Sequence, residues 1–169
     1  MQIKTSRYFT AIAFGAVMSL PAIPARADGI SGLSGAYLAA RHASFYSDYK
    51  AGAEYYTKAL MRDPSNPMLL ENTLMSFVGL GDIERALPIA RKMQADGVAS
   101  QMMRMVLVAD LVKKEKYDDV IAMLDSGETI GPLVDGLIRA WAELGRGKMT
   151  AALVAFDKVV DTKGTRSFG

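Results

Sequence analysis

The chain has 169 residues, no cysteine and a single histidine, which excludes disulfides, thiolate metal sites, a thiol nucleophile and any zinc site built on two histidines. Twenty Lys and Arg stand against 18 Asp and Glu, but Lys4, Arg7 and Arg26 fall in the first 27 residues, where there is no acid, so residues 28–169 hold 17 basic against 18 acidic groups, a net charge of −1. After residue 27 the densest basic stretch is Lys113-Lys114-Glu115-Lys116, with an acid inside it, and nucleic-acid binding is not expected from so weak a cluster.

The first element in chain order is a targeting segment. Lys4 and Arg7 form a positive n-region, Tyr8 to Leu20 is a weakly polar to apolar stretch, and Ala25-Arg26-Ala27 has the small-x-small form of a signal-peptidase site. Residues 1–27 are therefore expected to be a signal peptide cleaved after Ala27, leaving a short tail at 28–33 and sending the chain to the periplasmic or extracellular side of the envelope. A retained anchor fits less well, because Pro21 and Pro24 interrupt the apolar run before the roughly 20 residues that a membrane span needs. No stable span is expected after cleavage, and without a cysteine there is no place for a lipid anchor.

Beyond the leader the chain repeats itself. Tyr49-Lys50-Ala51-Gly52, Ile83-Glu84-Arg85-Ala86, Tyr117-Asp118-Asp119-Val120 and Met149-Thr150-Ala151-Ala152 align at spacings of 34, 34 and 32 residues, an apolar residue being followed three later by a small or β-branched one. Four residues further on, Tyr56, Ala90, Leu124 and Phe156 return to the same helical face. Each unit reads as two helices joined by a tight turn. Gly79-Leu80-Gly81-Asp82 and Gly145-Arg146-Gly147-Lys148 combine glycines able to take positive φ with polar residues that can start a helix, Asp82 being the best N-cap in the chain. Between units, Asp63-Pro64-Ser65-Asn66-Pro67 ends one helix and begins the next, with Asn66 as N-cap and Pro67 at the first helical position. Asp96-Gly97 and Gly131-Pro132 punctuate the later joints. The predicted helices are 34–46, 49–62, 67–79, 82–95, 100–114, 117–125, 132–144 and 148–161, which group into repeats at 34–66, 67–100, 101–132 and 133–163. Pro88 lies inside one of these helices, where the lost bond to the Glu84 carbonyl predicts a bend.

This pattern resembles the tetratricopeptide repeat, whose second helix begins Gly-x-Tyr-x-x-Ala and carries an aromatic residue four later, then Ala-Leu, then Pro. Tyr49, Gly52, Tyr56, Ala59-Leu60 and Pro64 carry the resemblance in the first unit, and Gly81, Ala86 and Ala90 in the second. Tyr117 and Pro132 carry it in the third, and Gly147, Ala152 and Phe156 in the fourth. The third unit departs most, with Val120 where a small residue would let helices approach. The resemblance implies an all-α fold, a right-handed superhelical array of about four antiparallel helix hairpins, and a concave groove lined by the first helix of each unit. Carried onto this sequence, the groove positions are Tyr37, Arg41 and Phe45, then Glu71 and Met75, then Met102, Met105 and Ala109, and last Leu137 and Trp141.

Such a groove is mostly apolar, with adaptable Met and aromatic anchors, and implies a protein or peptide partner offering an apolar segment. Inter-helix packing is the competing role for Met102, Met103, Met105 and Trp141. Tyr37 and Arg41 stand where chaperone-binding relatives carry paired Lys and Asn, so the carboxylate clamp of those relatives is not expected. Chemistry is thinly represented: His42 has no second histidine to join it, and Asp118-Asp119 reads as a helix start. Neither Gly-x-Gly pair extends into a phosphate loop. No enzymatic activity, cofactor or metal is expected from these residues. After the last predicted helix a tail at 164–169 follows, and Val154, Phe156, Val159 and Val160 leave apolar surface of the kind that a further helix, a partner or a second copy covers. That surface motivates a second reading, a spacer or oligomerisation arm of a larger envelope protein, and the chain reads as a fragment of a longer array in which a catalytic domain downstream is the third.

Overall fold

The computed structural model describes residues 32–127 and 129–161. The predicted leader and its cleavage site, and the tail at 164–169, lie outside the described residues. Those described form α1 (Leu33–Phe45), α2 (Tyr49–Leu60), α3 (Pro67–Gly79), α4 (Ile83–Ala95), α5 (Gln101–Lys113), α6 (Tyr117–Asp125), α7 (Pro132–Gly145) and α8 (Met149–Asp161), with no strand among them. Every predicted helix is present, its ends within two residues of expectation.

Local chemistry accounts for these boundaries. The Asn66 side chain accepts from the N–H groups of Met68 and Leu69 at 3.1 and 3.2 Å, ahead of Pro67 in the first helical position. The Asp82 carboxylate accepts from the Arg85 N–H at 3.1 Å, Asp48 from Ala51 at 3.0 Å, and the Ser100 hydroxyl from Met103 at 3.1 Å. Lys116, which precedes α6, provides no such cap. Asp82 also receives the Arg85 guanidinium at 2.6 Å.

The four turns inside the predicted units share one backbone geometry. Ser47, Gly81, Glu115 and Gly147 all have positive φ, at 55, 70, 56 and 75°, and they recur at the 34-, 34- and 32-residue spacings of the sequence. The next residue in each turn, Asp48, Asp82, Lys116 or Lys148, donates its N–H at 2.9 Å to the carbonyl five residues back, on Ala43, Phe77, Leu111 or Glu143 respectively. This bond closes a helix whose chain then turns through a left-handed residue, which glycine adopts without a steric cost and Ser47 and Glu115 do not.

Gly79 and Gly145 need correcting against expectation, because both are helical and neither uses a positive φ. A Cβ on Gly79 would lie 2.7 Å from Cγ and Cδ1 of Tyr49, and one on Gly145 would lie 2.6 Å from Cζ of Tyr117. Each glycine is a seat for the tyrosine that begins the preceding helix. α4 continues as one helix through Pro88, whose side chain is exposed.

Helices adjacent in the chain pack against each other in order, an arrangement consistent with an α-solenoid. The larger core runs from α1 to α5 and centres on Tyr56, Leu70, Leu74 and Met93; a smaller one, with Val108, Val120, Ile121, Ile130 and Ala142, lies between α5 and α7. Buried hydroxyls are satisfied within their own helix, Thr73 donating to the Leu69 carbonyl and Ser76 to that of Asn72, each at 2.7 Å. Gly52 lies against Ser76, so α2 and α3 approach closely. Packing is less extensive between α4 and α5 and less again between α6 and α7, as the residue at the Gly52 position grows to Ala86 and then Val120. Among consecutive helices the thinnest seam joins α5 to the short, uncapped α6.

Candidate functional site

Apolar side chains remain exposed along α3, α5 and α7, as they do along α1 and α8, and cavities open beside the first three. One, about 630 Å³, lies between α3 and α5 and is lined by Pro67, Met68, Glu71 and Met75 from one side and by Met102, Met105 and the joint Val98–Gln101 from the other. A second, about 500 Å³, is formed by Val112, Tyr117, Val134, Leu137, Ile138, Trp141 and Ala142. A third, about 270 Å³, is bounded by Ser34, Tyr37, Asp63, Asn66, Met68 and Leu69.

Seven of the ten predicted groove residues line one of these three cavities. Glu71, Met75, Met102 and Met105 come together around the α3–α5 cavity, Leu137 and Trp141 around the second, and Tyr37 in the third. Arg41, Phe45 and Ala109 are exposed but line none of these cavities. The Arg41 guanidinium lies 5.9 Å over the Tyr37 ring, and Phe45, 82 % exposed, meets the Tyr46 ring edge-on at 5.1 Å. His42 is exposed beside Tyr46 and takes part in no polar cluster. Among the described residues no three His, Cys, Asp or Glu side chains converge.

Met103 is buried in the larger core, and the half-buried Met102 packs against that core while also lining the cavity; Met105, 48 % exposed, faces the cavity. Trp141 is 61 % exposed, its ring 5.5 Å from that of Phe156 in a T-shaped pair. A tryptophan so placed keeps most of its apolar surface in water, although an aromatic ring is among the side chains that gain most from burial.

Sequence reasoning missed Met68, Tyr117, Val112, Val134 and Ile138. Met68 was within reach, since it precedes Glu71 by three and Met75 by seven residues and so shares their helical face. Val112 and Tyr117 were not, because they flank the α5–α6 turn and reach the cavity only through the way that turn stacks on α7.

Electrostatically the large cavity has one charged wall residue, Glu71. The other half-buried carboxylates nearby are engaged: Asp110 holds Lys114 at 2.8 Å and Arg91 at 3.2 Å, and that pairing, the Lys114 hydrogen bond foremost, keeps its carboxyl below the usual range. Among the described residues no helix is long and apolar enough to cross a membrane. No protein-family model matches the chain, and neither does any curated protein sequence, so its function has to be read from these surfaces.

Proposed function

We propose that the chain is an exported, tetratricopeptide-like scaffold that holds an apolar protein or peptide segment, without enzymatic activity, on the face made by α3, α5 and α7. The observation that carries this reading is the series of exposed anchors, Met75, Met105, Leu137 and Trp141, around two cavities of about 630 and 500 Å³. Water-exposed Met and Trp contribute little to the fold and much to a partner that covers them. The turn geometry recurring every 32 to 34 residues supports a helical repeat, and the residue pattern of the sequence supports its being tetratricopeptide-like, with about four hairpins in a right-handed superhelix. The sequence of residues 1–27 supports export to the periplasm or cell envelope.

The test uses a chain beginning at Asp28 as bait in a periplasmic extract, beside a Met105→Glu plus Trp141→Ala variant whose helicity is checked by circular dichroism. Capture of a specific protein by the parent and its loss from the equally folded variant is the expected outcome. Equal capture by both would refute binding on this face. A second reading, self-association or a spacer role, draws on the exposed Met149, Leu153, Val154 and Val160 of α8. It requires the sedimentation coefficient to rise with protein concentration, and a monomer across a wide range would count against it.

A further inference from the structure

Resting on the groove reading, we infer that the α3–α5 cavity selects an apolar segment carrying one Lys or Arg, whose cation is received by Glu71. Glu71 is half-buried and is the only charged residue lining the cavity. Its carboxylate has no hydrogen bond or ion pair to any described residue. It is alone in this: the other half-buried carboxylates described, Asp63, Asp82, Asp110, Asp135 and Glu143, each hold a partner. The acids that share its lack of a partner, Glu84, Glu115, Asp157 and Asp161, are exposed to water and need none.

Basic side chains of the flanking elements do not turn toward it. Arg91 is bound to Asp110, Lys92 to Asp96 at 2.8 Å, and Arg104 donates at 2.7 Å to the Thr129 carbonyl. Apart from Ser100 and Gln101 the rest of the wall is thioether and aliphatic, with Met68, Met75, Met102 and Met105 able to adapt to an irregular apolar chain. An apolar occupant without a cation would strip water from Glu71 and leave it unpaired, which is unfavourable. An acidic one would add repulsion. A Lys or Arg set among apolar residues satisfies both parts of the wall, its stem lying on the methionines and its charge on the carboxylate.

The experiment selects binders from a displayed library of random dodecapeptides on the parent chain, then measures their affinities for the parent, Glu71→Gln and Met105→Glu chains by fluorescence anisotropy. Glu71→Gln keeps the shape of the side chain and removes its charge, and the melting transition confirms that the variant folds. The expected result is enrichment of peptides with a Lys or Arg inside an apolar run, bound about tenfold more weakly by Glu71→Gln. Replacing that Lys with norleucine should cost the same against the parent and nothing more against Glu71→Gln. Apolar peptides without a basic residue, equally bound by parent and Glu71→Gln but lost in Met105→Glu, would overturn this inference and leave the groove reading standing. A selection that yields no peptides, or only ones indifferent to Met105→Glu, would overturn both.

Discussion

Replacing Gly79 with Ala tests the seat that positions α2 on α3. The added methyl would sit 2.7 Å from Cγ and Cδ1 and 2.9 Å from Cδ2 of Tyr49, so it cannot be accommodated by a small ring tilt; because Cγ is the root of the ring, the whole side chain has to turn about χ1. Tyr49 is already 42 % exposed and has solvent to turn into. Giving up on the order of 50–80 Å² of apolar contact at about 25 cal/mol per Å² costs about 1–2 kcal/mol. The better helix propensity of Ala returns less than about 1 kcal/mol at a helix end. A net loss of about 1 kcal/mol, and a melting temperature lower by about 3–5 °C, is expected for an ordered region of this length. Gly145→Ala should cost less, because its methyl meets the far end of Tyr117, Cζ at 2.6 Å, which moves by a smaller rotation. The assay is urea unfolding followed by far-ultraviolet circular dichroism, run as a double-mutant cycle. In a Tyr49→Ala background, Gly79→Ala should become neutral or stabilising. A Gly79→Ala penalty of the same size with and without the tyrosine would refute the seat.

The left-handed turn residues give a paired test: Gly81→Ala should destabilise by about 1 kcal/mol, whereas Glu115→Gly, by relieving an L-residue of a cost of about 1–2 kcal/mol, should be neutral to slightly stabilising despite the added chain entropy, as read from urea midpoints. If both shift the midpoint in the same direction, the turns are not equivalent. The carboxyl of Asp110 is held below its usual range by Lys114 and Arg91, so its folded state is favoured above the ordinary Asp value of about 3.9 and that favour is lost as pH falls through the depressed value. Asp110→Asn should therefore lower the urea midpoint at pH 7 and leave it nearly unchanged near pH 2; an equal loss at both would remove the charge from the explanation. Short, uncapped and thinly joined to α5, the helix α6 should exchange its amide hydrogens faster than α2, and uniform protection in native-state exchange would contradict that ranking.

Much of the architecture was legible because helix ends are local events. Asn66-Pro67 and Asp82 carry their own stop and start chemistry, and the bonds they make reach only two or three residues along the chain. The 34-residue period was legible too, since buried small residues at Gly52, Ala86 and Ala152 recur with the helix face they occupy. The same local logic misread Gly79 and Gly145. Glycine next to a turn suggests positive φ, and only the approach of a tyrosine from another helix reveals that the missing Cβ is what matters there.

The candidate site divides along the same line. Helical spacing alone brings Glu71 to the face of Met75, and Met102 to that of Met105, because i, i+3 and i+4 neighbours share a surface whatever surrounds them. Whether such a face is buried is decided by which helix stacks on it, and the tertiary structure turns Met103 into the core while leaving Met105 and Trp141 in water. It also assembles Val112 and Tyr117 with Leu137 across a turn, and leaves Glu71 as the half-buried carboxylate without a hydrogen-bond or ion-pair partner among the described residues. Sequence by itself determined the helices, their period and the residue types on each face, because backbone hydrogen bonding and capping act within a few residues. Only the tertiary structure decided which faces were spent on packing and which were left for a partner, because burial depends on neighbours some thirty residues away along the chain.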